Sequence, residues 1–130
     1  MSNYYVDFLK RRAKAFLESV QADFDRGGYD LVLFHVEQFL QLYLKHLLYR
    51  KIGDFPKTYS VVRLVKDVIK VYNNDRLKEF YKKNLETLYL LEEAYISSRY
   101  LPYAYEEKEV KDIYRFVVEV FRPLVEEILQ

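Results

Sequence analysis

Apolar residues recur at intervals of three and four along most of this chain, which is the period of a helix face and not of a strand. In the first segment, about Asn3 to Asp25, Tyr5, Leu9, Ala13, Phe16, Leu17, Val20 and Phe24 fall on one stripe. Gly27-Gly28 predicts its end, because glycine takes the left-handed cap conformation at little cost. A second segment runs to Lys51 from Asp30, read as its N-cap. It is apolar over most of its girth: Leu33, Val36, Phe39, Leu40, Tyr43, Leu44, Leu47 and Leu48. Such a helix belongs at the centre of a bundle. Its polar residues Glu37, Gln41 and Lys45 fall four apart on one narrow line. That line is predicted to face solvent, or to line a groove where two subunits meet.

Three further segments complete the pattern. Ser60 is a cap residue for a short helix to Tyr72, and Asn73-Asn74-Asp75 signals a turn. A long helix from about Asp75 to Arg99 turns Leu77, Tyr81, Leu85, Leu88, Leu91 and Tyr95 inward, and Pro102 predicts its stop. The last, about Glu106 to Leu129, carries Val110, Ile113, Tyr114, Val117, Phe121, Leu124 and Ile128. Pro123 lies inside that stripe and must disturb it, because it lacks the N–H of a regular turn. No period-two run is bounded by turn residues. The expectation is an all-α, up-and-down antiparallel helical bundle of four long helices plus one short helix, with residues 1–130 as one domain.

The chain has 130 residues, half of them hydrophobic, enough to bury a core without staples. Cysteine is absent, which excludes thiol catalysis, disulfides and cysteine-held zinc or iron–sulfur sites. His35 and His46 are the two histidines, and their spacing of eleven does not suit a helical metal site. No metal or other cofactor is expected. Met1 to Asp7 lacks the apolar core of a signal peptide, and no apolar run approaches the roughly 18 residues of a membrane span. A cytoplasmic protein without membrane contact is expected. Few glycines and abundant Lys, Glu and Tyr point to a thermophilic source. Charge is uneven: residues 1–83 carry 16 Lys/Arg and 10 Asp/Glu, a balance of +6, whereas residues 84–130 carry 5 and 10, a balance of −5.

Candidate chemistry gathers in Tyr95-Ile96-Ser97-Ser98-Arg99-Tyr100-Leu101-Pro102. There a helix gives way to a loop, and one cation stands among phenols. Arg99 has two readings. It holds a phosphate, or it caps helix carbonyls and pairs with Glu92 or Glu93. Tyr100, Tyr103 and Tyr105 lie in a loop, where aromatic rings are less easily buried and are free to stack on bases. Tyr43, Tyr81 and Tyr114 sit in helical stripes and read as core. His35, on a nearly all-apolar helix, reads as a hydrogen-bonded core or interface histidine. Lys10-Arg11-Arg12-Lys14 reads as a solvated helix face that can touch phosphates. There is no glycine-rich phosphate loop and no nucleophile elbow.

The order and spacing of several segments resemble the HEPN domain family (higher eukaryotes and prokaryotes nucleotide-binding) over roughly Leu9 to Val120. They are Gly27-Gly28-Tyr29-Asp30, Phe34-His35-Val36-Glu37-Gln38-Phe39, Leu42-Tyr43-Leu44-Lys45, Lys57-Thr58-Tyr59-Ser60-Val61-Val62-Arg63-Leu64, and Ala94-Tyr95-Ile96-Ser97-Ser98-Arg99-Tyr100. The resemblance implies a helical bundle, often a homodimer, that works on RNA or nucleotides. It also implies a small nucleotidyltransferase partner in a toxin–antitoxin-type pair. Active members are metal-independent endoribonucleases with an Arg followed, after four to six residues, by a His. Arg99 matches that Arg, but Ala104, Tyr105 and Glu106 occupy the positions for the His. Imidazole titrates near neutrality, whereas a phenol with a pKa of about 10 does not.

The expected function is therefore a nucleotide- or RNA-binding module, with Arg99, Tyr100, Tyr103, Tyr105 and Glu37 around the ligand. The alternatives are an endoribonuclease in which a residue other than histidine is the general base and Arg99 is catalytic, and a bundle whose dimer surface is its whole function.

Overall fold

A computed structural model of the chain describes residues 3–100 and 105–129, without the side chains of Asn3, Ser98 and Arg99. The order is α1 (Asn3–Glu18), α2 (Val20–Asp25), α3 (Tyr29–Ile52), α4 (Val61–Tyr72), α5 (Asp75–Tyr100), α6 (Glu107–Arg115), a π-helical turn (Phe116–Phe121) and α7 (Arg122–Ile128). No strand occurs among the described residues.

The first rod is broken where the stripe runs unbroken. Ser19 Oγ donates to the Ala15 carbonyl at 3.1 Å, and such back-bonding competes with the backbone ladder. The rod stops as expected: Gly27 takes φ 71°, its N–H reaches Phe24 O, and the Gly28 N–H reaches Asp23 O. These two bonds make a Schellman ending. The N-cap of α3 is Gly28, not Asp30. Asp30 sits in the first turn, where its charge suits the positive helix end.

Helix α3 is the axis. Val32, Leu33, Val36, Phe39, Leu40, Tyr43, Leu44, Leu47 and Leu48 are all buried, each leucine worth roughly 2 kcal/mol by removal from water. Helix α1 runs antiparallel to it. Tyr5 meets Tyr49 at one end and Phe16 meets His35 at the other. The 53–60 segment then doubles back along α3, bringing Tyr59 beside Lys45. The short α4 returns, and the Tyr72 hydroxyl donates to Leu47 O at 2.7 Å. Helix α5 climbs antiparallel to α3, so Tyr95 meets Phe34. The last rod descends, from Tyr114 beside Phe24 to Glu127 paired with Arg76 near the start of α5. The four long rods thus alternate in direction, with α4 carried in the α3–α5 connection.

Two polar caps set α4. Ser60 Oγ accepts from the Arg63 N–H at 3.1 Å. Glu92 of α5 accepts from the Val62 N–H at 3.2 Å and from the Ser60 hydroxyl. A carboxylate at this positive helix end is electrostatically favourable. Helix α5 leaves helical dihedrals at Asn84 (φ −119°, ψ 21°), whose Nδ2 donates to Phe80 O. In the last rod, Pro123 is accommodated by the wide turn that precedes it. Arg122 N–H reaches back five residues to Val117 O. The extra residue relieves the clash that a proline ring makes with the carbonyl four residues earlier.

Candidate functional site

The final turns of α5 carry most of the sequence-predicted site. Tyr95 stacks on Tyr59, ring centroids 5.2 Å apart and planes 16° from parallel. Tyr59 is 65% exposed and Tyr100 66% exposed. Ile96 is exposed between them in sequence, whereas Ser97 is buried. Arg99 falls in the last turn of α5, and its guanidinium lies outside the described residues. Tyr103 and Ala104 also lie outside them. Tyr105 departs from the expectation for a loop aromatic. It is half-buried against the core, and its hydroxyl pairs with that of Ser97. The paired position restores the hydrogen bond that burial of both hydroxyls would otherwise cost. Glu92, one of the acids expected beside Arg99, caps α4.

The largest correction concerns Glu37, which does not face solvent. It is fully buried, and Gln41 is nearly so. The reason lies in the path of the 53–60 segment, which lays Tyr59 and Ser60 over this side of α3, with Glu92 and Tyr95 of α5 beside them. Gln41 Nε2 donates to one Glu37 oxygen at 2.6 Å and Gln38 Nε2 to the other at 2.8 Å. Lys45 Nζ donates to Gln41 Oε1 at 3.4 Å and lies over the rings of Phe55 and Tyr59. Burial pushes the Glu37 carboxyl up to about 7, against the two amide hydrogen bonds and Lys45, which pull it down. Burial likewise lowers the Lys45 pKa. A carboxyl titrating near neutrality has the acidity of a general acid–base group.

A second polar centre joins α2 to α3. Asp23, fully buried on α2, accepts from Arg26 and pairs with His35 Nδ1 at 2.5 Å. His35 is thus a hydrogen-bonded histidine, as read. Asp23 itself was missed, although an acid between Val20 and Phe24 on an apolar stripe is a signal that a partner waits on the next helix. His46 is buried too, and its Nδ1 donates to Val6 O at 2.8 Å. Burial lowers its pKa. Tyr43 is core as expected, and burial pushes its phenol up to about 12. Among the described residues, no group of three His, Asp or Glu is placed to hold a metal ion. None of the described helices is long and apolar enough to cross a membrane.

Comparison with known proteins gives one family. The model of the HEPN domain matches residues 6–128, nearly the whole chain. Neither the curated proteins nor the solved structures give a match. The match spans every rod of the bundle and the strip that ends at Tyr100. The chain belongs to the HEPN domain family.

Proposed function

We propose that this chain is a nucleotide- or RNA-binding module whose ligand phosphate lies near Arg99. It acts as one unit over residues 1–130, forms a homodimer in the cytoplasm, and pairs with a nucleotidyltransferase-like protein in a toxin–antitoxin-type system. Family membership supports the nucleotide or RNA chemistry. The observation that carries the reading is the aromatic surface at the end of α5. The Tyr59–Tyr95 stack and the exposed Tyr100 flank the turn that holds Arg99. Flat rings beside a cation suit a base and its phosphate. In this reading Tyr100 and Tyr103 pack a base or the partner chain, Tyr105, paired with Ser97, borders the ligand, and Glu37 lies beneath.

Binding of RNA oligonucleotides and nucleotides by Arg99→Ala tests it. Affinity falls about tenfold, in line with loss of one charge-assisted contact, and stability changes by less than about 0.5 kcal/mol. Lost stability with retained affinity overturns the reading. A second reading is a metal-independent endoribonuclease; the Glu37 carboxyl, at about 7, has the acidity for proton transfer but is fully buried. The same RNA, incubated with the wild-type protein in EDTA, stays intact under the first reading and is cut under the second.

A further inference from the structure

At the far end of α3 from Tyr95, a cleft of about 680 Å³ opens between the start of α1 and the last turn of α3. Its walls include Asp7 and Lys10 of α1, and His46, Tyr49, Arg50 and Lys51 of α3. Phe34, which touches Tyr95, and Arg50 are sixteen residues apart on α3, about 24 Å along its axis. The cleft is therefore separate from the Arg99 region.

Three cations face this space against one carboxylate, Asp7. Among the described residues, no carboxylate lies within ion-pair distance of Lys10, Arg50 or Lys51. Cations at a helix C-terminus complement its dipole, which accounts for Arg50 and Lys51. It does not account for Lys10, which comes from another helix. A second observation concerns His46. A carbonyl only accepts, so Nδ1 carries the proton toward Val6 O. Nε2 is then a buried nitrogen without a partner among the described residues, on a side chain that lines the cleft. The ring is nonetheless fixed in the cleft wall beside Lys10 and Arg50, so it reports on what binds there. A smaller cleft of about 230 Å³ shares Arg50 and Lys51 and extends past Tyr72. The volume exceeds what a lone carboxylate fills and falls in the range of nucleotide-sized ligands.

We infer that this cleft binds a phosphate ester carrying two or more negative charges, as on a nucleotide or a 5′-phosphorylated RNA end. Lys10 and Arg50 hold the phosphate from two helices, Lys51 adds charge at the rim, and His46 stands in the wall beside them. The site does not depend on the role of Arg99.

With two histidines in the chain, NMR reads the site directly. Titrating ATP into the intact protein shifts the ring signals of His46. Adenosine, which lacks phosphate, does not shift them. Lys10→Gln with Arg50→Gln weakens this response about tenfold or more, the expectation for two lost charge-assisted contacts, whereas Arg99→Ala leaves it unchanged. A 5′-phosphorylated RNA hexamer tested alongside ATP decides the source: whichever ligand moves His46 at the lower concentration is the better occupant. An unmoved His46 with both ligands overturns the inference. So does an equal response to adenosine, or an unchanged response in the folded double variant. Should the double variant fail to fold, Lys51→Gln alone and the adenosine control decide the matter in the same way.

Discussion

Two acids are buried in this bundle, and they are held in opposite ways. Asp23 meets a guanidinium and an imidazole, from Arg26 and His35. Glu37 meets two amides, from Gln41 and Gln38, and the Lys45 cation acts on it at one remove, through Gln41. Both lose water. Only one is given opposite charge by direct contact. The lesson is that amide donors do not offset the desolvation of a carboxylate, which is why the Glu37 carboxyl rises to about 7.

The sharpest way to break this contrast is to follow stability against pH. An unfolded glutamate titrates near its ordinary 4.5, and the folded Glu37 near 7. Below pH 4.5 both states hold the proton. Between 4.5 and 7 the folded state holds more, so this contribution to stability falls as pH rises, then levels off. Its full span is about 3 kcal/mol. Urea unfolding across pH 4.5 to 8 measures it, and Glu37→Gln removes it. A slope that survives the substitution belongs to other groups.

A smaller effect is expected at the other acid. Asp23→Ala leaves Arg26 and His35 without their acceptor at once and lowers stability by about 2 kcal/mol, the scale of hydrogen bonds to charged groups. The shift in urea midpoint reads it. The least effect comes from the outer partner. Arg26 is 59% exposed, and Arg26→Met lowers stability by about 0.5 kcal/mol in the same assay, as for a solvated ion pair. Equal losses in the two variants would make Arg26, and not His35, the partner that matters.

Periodicity carried the rods because it reports burial directly. Every apolar residue of the last stripe, from Val110 to Ile128, is buried or packed on the core. It failed at Glu37 because the cover comes from the 53–60 segment, whose path along α3 follows no period. It failed at Asp23 because the partner stands twelve residues away on another helix. The irregularities at Ser19 and Asn84 arise from side chains that bond backward to carbonyls, an option that many polar residues have and few take. At the candidate site, Tyr100 was legible as an exposed ring. The Tyr59–Tyr95 stack was not, because it joins a non-periodic segment to a helix.

The wide turn ahead of Pro123 also has a bearing on how the C-terminal rod is aligned. One surplus residue advances the angular phase of everything downstream by about 100°. Val117 and Phe121 on one side of the slip, and Leu124 and Val125 on the other, all still meet the core. The slip thus widens the inward face of α7 to take in Val125, which the unbroken stripe leaves out.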